Sequence, residues 1–270
     1  MTQNDEHHDP YFENPQPHPW RRMVALGDSF TEGIGDPEPD LPGGHRGWAD
    51  RVAEVLATQV DDFQYANLAV RGKLLDQIAS DQAEIAASLG PDLVTISAGG
   101  NDILRPGTDP DEVARRLDRL VGRMVATGAT VVLFTGPDVG VNPVMRTIRG
   151  KVAIYNMNIY KVAQKHGAIV ADLWAISGAF RDPRMWAVDR LHYSPLGHQL
   201  IARLVLAILG VDNALDPHHP EPLPARSWGR ARREDLAWAR EYFVPWIGRR
   251  LTGRSSGDGV LPKRPILGPF

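Results

Sequence analysis

Apolar residues along this chain fall into short runs, separated by segments in which they recur every three or four positions. The runs are Met23–Gly27, Phe63–Ala69, Asp92–Ala98, Thr130–Thr135 and Ala168–Asp172. Asp92–Ala98 is nearly continuously apolar, as expected for a parallel strand covered on both faces. Phe63–Ala69 alternates and reads as a strand. Between the runs lie helical faces. Trp48–Val60 carries Trp48, Val52, Val55 and Leu56, and a second helix carries Leu74, Leu75, Ile78, Ile85 and Leu89 before the Gly90-Pro91 stop. Asp109–Thr127 and Ile148–His166 repeat the pattern and end at Gly128 and Gly167. A last helix opens at Ser194 as cap, with Pro195 suited to its first turn, and runs to about Leu209. Five strands alternating with helices predict an α/β fold: a mostly parallel sheet with helices on both faces. Residues 30–47, rich in glycine and proline, read as a loop, and loops this long inside a compact domain are often functional. Residues 173–188 read as irregular and hold Trp174, Phe180 and Trp186.

The two ends differ from the middle. Residues 1–22 are polar and proline-rich, which predicts a mobile N-terminal arm, with His7-His8 as part of a solvated tail rather than a metal site. Residues 211–270 form a C-terminal extension in which proline and arginine become frequent. Within it Leu236, Ala239, Phe243 and Trp246 share one helical face, and Pro245 should kink or end that helix. The extension is expected to dock on the body or on a second subunit. A membrane-surface helix fits less well, because Glu234, Asp235 and Glu241 lie among the arginines.

Composition narrows the function. The chain has 270 residues, 43% hydrophobic and 23% charged, with a net charge of −3 and no cysteine. Thiol catalysis and a disulfide framework are excluded, and nothing favours nucleic acid as the main partner. No signal-peptide run and no apolar stretch of membrane-spanning length is present, so a cytoplasmic protein is expected, without membrane insertion.

The chemistry collects at strand ends. Gly27-Asp28-Ser29 follows the first strand, Asn67 to Gly72 the second, and Gly99-Gly100-Asn101-Asp102 the third, while Asp189-Arg190-Leu191-His192 precedes the last helix. In a doubly wound sheet the carboxyl ends of neighbouring strands converge on one crevice. Gly-Asp-Ser alone is an ordinary turn with a helix cap. Together the motifs make a complementary set. Ser29 needs a base, His192 can take its proton, and Asp189 can orient the imidazole if the two share one face of a turn. The Ser29 and Gly72 N–H groups and the Asn101 amide are candidate donors to an oxyanion.

In this ordered set the chain resembles the SGNH hydrolases, the GDSL esterase/lipase superfamily. Gly27-Asp28-Ser29, Gly72, Gly100-Asn101-Asp102 and Asp189-x-x-His192 match its four blocks in order, across residues 23–210. The resemblance implies a three-layer α/β/α flavodoxin-like fold with five parallel strands. It also implies serine-dependent hydrolysis of a small-molecule acyl ester, without metal or cofactor. One departure is Tyr193, where family members often have proline directly after the histidine. The same site could instead transfer the acyl group to a sugar or alcohol. A non-catalytic binding module would have lost Ser29, Asn101 or His192, and a flavin or nucleotide site would want a phosphate loop that Asp28–Thr31 matches only loosely.

Neighbouring candidates receive other roles. His198 reads as packing, Asp28 as a brace of the turn, and Asp102 as an orienter of the Asn101 loop. Asp172 either lines the site or caps a helix. Trp174 and Trp186 are candidate walls of an acyl or leaving-group pocket, although buried aromatics are more often core. A homo-oligomer formed through the C-terminal extension is a further expectation.

Overall fold

A computed structural model of the protein describes residues 17–141, 145–216, 232, 238–243 and 256–270. In chain order it contains β1 (Arg22–Gly27), α1 (Ser29–Glu32), α2 (Gly47–Gln59), β2 (Gln64–Asn67), α3 (Leu75–Asp81), α4 (Ala83–Ser88), β3 (Leu93–Ser97) and α5 (Gly100–Ile103). It continues through α6 (Pro110–Val125), β4 (Thr130–Phe134), α7 (Arg149–His166), β5 (Ile169–Ala171), α8 (Pro195–Ile208) and β6 (Arg264–Gly268). The strand order is β5-β4-β3-β1-β2-β6. The first five strands are parallel to one another, in the doubly wound order 2-1-3-4-5.

The strand pattern is explained by burial on both faces. Met23 and Ala25 of β1 point into one core with Trp48, Val52 and Leu56 of α2 and Ile201, Val205 and Leu206 of α8. Val24 and Leu26 point the other way, among Leu75, Ile78, Ala86, Leu117, Leu120, Val152 and Ile159. All four strand residues are fully buried, and each large aliphatic side chain taken from water stabilises the fold by about 1.5–3 kcal/mol. Three layers result, α/β/α, with β1 in the interior of the sheet. Among the described residues no helix is long and apolar enough to cross a membrane.

Three expectations need correcting. The sheet is six-stranded and mixed, because β6 adds antiparallel to β2 with a register shift between Tyr65 and Asn67. Its sequence, Arg-Pro-Ile-Leu-Gly, carries a proline that argues against a strand interior and is tolerated on an edge. Residues 256–270 are therefore built into the body of the same chain. Two residues assigned to the N-terminal arm pack against the body. His18 and Trp20 are buried, His18 Nε2 lies 2.9 Å from the Leu56 carbonyl oxygen, and the Trp20 indole N–H donates to Thr130 Oγ1 at 3.1 Å. Residues 1–16, with His7 and His8, lie outside the described residues, as do Leu236 and Trp246; Ala239–Phe243 forms a single π-helical turn.

The helix expected through Leu74–Leu89 is broken at Gln82, between α3 and α4. The buried Gln82 amide accounts for the break. It accepts from the Gly27 N–H and donates to the Gly27 carbonyl, both at 2.9 Å, mimicking a strand at the point where β1 ends. Gln82→Ala should leave the Gly27 N–H without an acceptor and lower stability by roughly 1–3 kcal/mol. Urea unfolding of the variant beside wild type measures this, and an unchanged midpoint would refute the clamp.

Candidate active site

Past Gly27 the chain turns out of the sheet. Asp28 caps α1, its Oδ1 accepting from the Phe30 N–H at 3.1 Å, and Ser29 is the first residue of that helical turn. The Ser29 hydroxyl oxygen lies 3.0 Å from His192 Nε2, across 163 residues of sequence. His192 Nδ1 lies 2.6 Å from Asp189 Oδ2. Asp189 Oδ1 also accepts from the backbone N–H groups of Leu191 and His192, both at 3.0 Å. A carboxylate at Nδ1 selects the tautomer with its proton there, which leaves Nε2 free to accept from the serine. Arg190, between the two, takes φ 54°, a left-handed conformation uncommon for a non-glycine residue. Burial pushes the Asp189 carboxyl up, but the His192 hydrogen bond and charge and the two backbone donors outweigh it and hold its pKa below the ordinary value.

The loop carrying His192 is held by aromatic packing. Trp186 and Tyr193 pair as an isolated antiparallel bridge and stack at 4.8 Å, and the Ala187 N–H donates to the His192 carbonyl at 2.8 Å. Tyr193 is buried against Phe30 and Phe180 as well, so the residue that departs from the family pattern fills the core beneath the site. Gly35 takes φ 99° where its backbone presses on the Tyr193 carbonyl, and a Cβ there would collide with that oxygen.

His198, six residues after His192, is fully buried. Its Nδ1 accepts from the Trp48 N–H at 3.1 Å, and Nε2 faces the Ile34 carbonyl at 3.2 Å. It ties α8 to the start of α2 and to the loop after α1, and burial depresses its pKa to about 4.

The opposite side of the crevice comes from the ends of β2 and β3. Gly72 takes φ 75° in the turn after β2. No protein acceptor among the described residues takes the N–H of Ser29 or of Gly72. The Asn101 amide nitrogen is engaged: it donates to Asp28 Oδ2 at 2.9 Å and to the Lys73 carbonyl at 3.1 Å. Asn101 therefore meets the Asp28 carboxylate directly, and Asp28 is pushed up to about 6 by burial, opposed by the Phe30 N–H and the nearby His192 charge. Asp102 accepts from the Leu75 N–H at 2.9 Å and so fixes the start of α3. Asp172 is spent at the ends of β4 and β5, accepting from Thr135 Oγ1, the Tyr160 hydroxyl and the Ala175 N–H.

The sequence profile of the GDSL-like lipase/acylhydrolase family matches residues 25–200, a span that contains Ser29, Gly72, Asn101, Asp189 and His192. The chain belongs to that family. Membership places it among the acylhydrolases, enzymes that hydrolyse ester bonds. A stretch of 88 residues is 31% identical to the uncharacterised protein YpmR of Bacillus subtilis, covering 31% of this chain and 32% of that one. The fold is similar to Axe2, an acetylxylan esterase from Geobacillus stearothermophilus (TM-score 0.60, 21% identity, 73% of this chain and 97% of that one). It is also similar to LAE5, an α/β hydrolase enzyme from the metagenome of Lake Arreo (0.59, 24%, 72% and 97%), and to TesA (0.58, 21%, 70% and 97%).

Within this GDSL-family site the two tryptophans have partners of their own. The Trp186 indole N–H donates to the Phe180 carbonyl at 2.7 Å beneath the His192 loop, and the Trp174 ring carries the Arg149 guanidinium 5.3 Å from its centroid. Two features escaped the sequence reading. Glu32, buried on α1, accepts from the Arg71 backbone N–H at 2.6 Å and pairs with its guanidinium, tying the Ser29 turn to the residue before Gly72. Trp238 of the C-terminal extension donates to the Asp189 carbonyl at 2.9 Å, with the Arg190 guanidinium over its ring. Neither has a local signal in the sequence, because Arg71 lies 39 residues from Glu32 and Trp238 lies 49 from Asp189.

His198 generates a test. Its folded pKa lies below the ordinary 6.5, so its contribution is fully present above pH 6.5 and is lost as pH falls towards 4. The shift corresponds to roughly 3 kcal/mol. His198→Asn should be less stable at pH 7 but lack this component of the acid loss. Unfolding free energies at pH 7, 5.5 and 4.5 for both proteins check it, and parallel pH curves would refute it.

Proposed function

We propose that the protein is a serine esterase that hydrolyses a small-molecule acyl ester through an acyl-enzyme on Ser29. The observation that carries the reading is the aligned series Asp189 Oδ2, His192 Nδ1, His192 Nε2 and Ser29 Oγ, at 2.6 and 3.0 Å. In this reading the Ser29 oxygen attacks the ester carbonyl carbon as its proton passes to His192 Nε2. Asp189 stabilises the imidazolium. The tetrahedral intermediate expels the alcohol, which leaves with the proton from His192. Water, deprotonated by the same nitrogen, then attacks the acyl-enzyme, releases the acid and regenerates Ser29.

The oxyanion is assigned to the N–H groups of Ser29 and Gly72, which have no protein acceptor among the described residues. Asn101 joins them when one of its amide protons leaves the Asp28 carboxylate or the Lys73 carbonyl for the substrate oxygen. Asp28 then acts as a positioning residue rather than a proton carrier. The likeness in fold to esterases, an acetylxylan esterase among them, adds support to ester substrates. Trp174 and Trp186, each with a protein partner, serve in this reading to shape the crevice floor and the His192 loop.

The test is an ester panel, p-nitrophenyl acetate through long-chain esters, run with wild type and two variants. Ser29→Ala should abolish turnover while leaving the fold intact; full turnover would sink the proposal. Asn101→Ala should lower kcat by roughly 10²–10³-fold, about 2.7–4 kcal/mol, with KM little changed. An unchanged kcat would remove Asn101 from the oxyanion hole.

A further inference from the structure

The C-terminal segment reaches both walls of the crevice, although it follows the family-matched region by more than fifty residues. Lys263, just before β6, is inserted into the body with its side chain 2% exposed. Its ammonium donates to Asp50 Oδ1 at 2.9 Å, the Arg46 carbonyl at 2.8 Å and the His45 carbonyl at 3.1 Å. All three ammonium protons are satisfied, and a buried charge persists on those terms. The same Asp50 oxygen accepts from the Tyr65 hydroxyl at 2.9 Å. The Tyr65 oxygen in turn accepts from Asn67 Nδ2 at 2.9 Å.

Asn67 is the branch point. Its amide also donates to the Thr31 carbonyl at 2.9 Å, in the helical turn that begins with Ser29. Its Oδ1 accepts from the Ala69 N–H at 3.1 Å, at the start of the loop that leads to Gly72. Asp50, Tyr65, Asn67 and Thr31 are each fully buried. A second contact reinforces the first: Gly257 lies against the Arg71 carbonyl so closely that a Cβ would collide with it, one residue before Gly72.

We propose that Lys263 is a positioning residue of the ester-hydrolysing centre, holding the Ser29 turn and the Gly72 loop in register through Asp50, Tyr65 and Asn67. The proposal rests on the reading of Ser29 as nucleophile and Gly72 as oxyanion donor. The physical ground is the steep distance dependence of both functions. A misplacement of about 1 Å between nucleophile and oxyanion donors costs on the order of 10²-fold in rate. Asp50 Oδ2 is left without a partner among the described residues, but the chain from the Lys263 ammonium through Asp50 Oδ1 and the Tyr65 hydroxyl to the Asn67 amide is continuous and buried, and such a relay restrains the groups it joins.

Lys263→Met alone leaves the Asp50 charge buried and unpaired, and destabilisation would obscure its kinetics. Two full-length variants avoid this. Tyr65→Phe breaks the relay at one hydroxyl and keeps the ion pair. Asp50→Asn with Lys263→Met removes both charges and keeps an acceptor for Tyr65. Competent sites are counted by titration with a p-nitrophenyl phosphonate, and kcat and KM for p-nitrophenyl acetate are expressed per competent site well below each unfolding temperature.

The expected result is a kcat lowered by about 10-fold or more in both variants, KM within twofold of wild type, and phosphonate inactivation slowed in step with kcat. Wild-type kcat per competent site in Tyr65→Phe overturns the proposal, whatever the double variant does. A change confined to KM, or to unfolding temperature, overturns it as well. Ser29→Ala, assayed alongside, separates the two readings. Residual full turnover there defeats the esterase reading itself, whereas an inactive Ser29→Ala with an unaffected Tyr65→Phe defeats only the role of Lys263.

Discussion

The carboxyl end of β1 is the constraint on which the rest depends. A strand hydrogen-bonded on both sides and buried on both faces cannot shift along its axis without disrupting two ladders and two cores. Gly27 is further held by both polar atoms of the Gln82 side chain. Ser29, two residues on, therefore leaves the sheet at a fixed point. Because β2 and β3 run parallel to β1 on either side, their ends deliver Gly72 and Asn101 to the same crevice.

Carboxylates crowd this crevice, and each is handled differently. Glu32 is paired with Arg71. Asp189 is held in its charged form by His192 and two backbone donors, despite burial. Asp28, with one backbone donor and the Asn101 amide, is left the least compensated and is raised to about 6 by burial. Such a spread assigns roles by environment rather than by residue type. The carboxylate on the imidazole is the one whose pKa is lowered, while the one on the Asn101 amide is raised. The two histidines are sorted in the same way. His192 is part-exposed and faces a carboxylate and a hydroxyl, whereas His198 is enclosed between a backbone donor and a carbonyl and held neutral.

The central strands were legible because double-sided burial writes itself as short apolar runs, and the site because its blocks stand where those runs stop. Asp189 and His192 needed no long-range knowledge, since three residues of spacing suffice for one turn. What was not legible depends on partners distant in sequence. The break at Gln82 interrupts an unbroken helical pattern, and its cause is Gly27, 55 residues earlier. β6 is five residues with an internal proline, and it exists because β2 offers an open edge about 200 residues upstream. Lys263 has no local signature at all, since a lysine in a polar tail reads as solvated until Asp50 is seen opposite it.

That last case bears on where the catalytic unit ends. The family-matched span stops at residue 200, and a boundary near 210 follows from composition alone. Yet Tyr65 of β2 is met from the far side by three groups of the C-terminal segment: the Phe270 ring at 6.0 Å, the Arg264 guanidinium at 5.7 Å, and Lys263 through Asp50. Without that segment β2 would be an exposed edge, Asp50 would lack its cation, and Tyr65 would lose the groups packed on its far side. Removing one partner of a buried ion pair such as Asp50–Lys263 costs about 3–5 kcal/mol, a large fraction of a domain's net stability. Residues 256–270 thus share the core with the matched span, and the unit that folds extends past the unit that the motifs define.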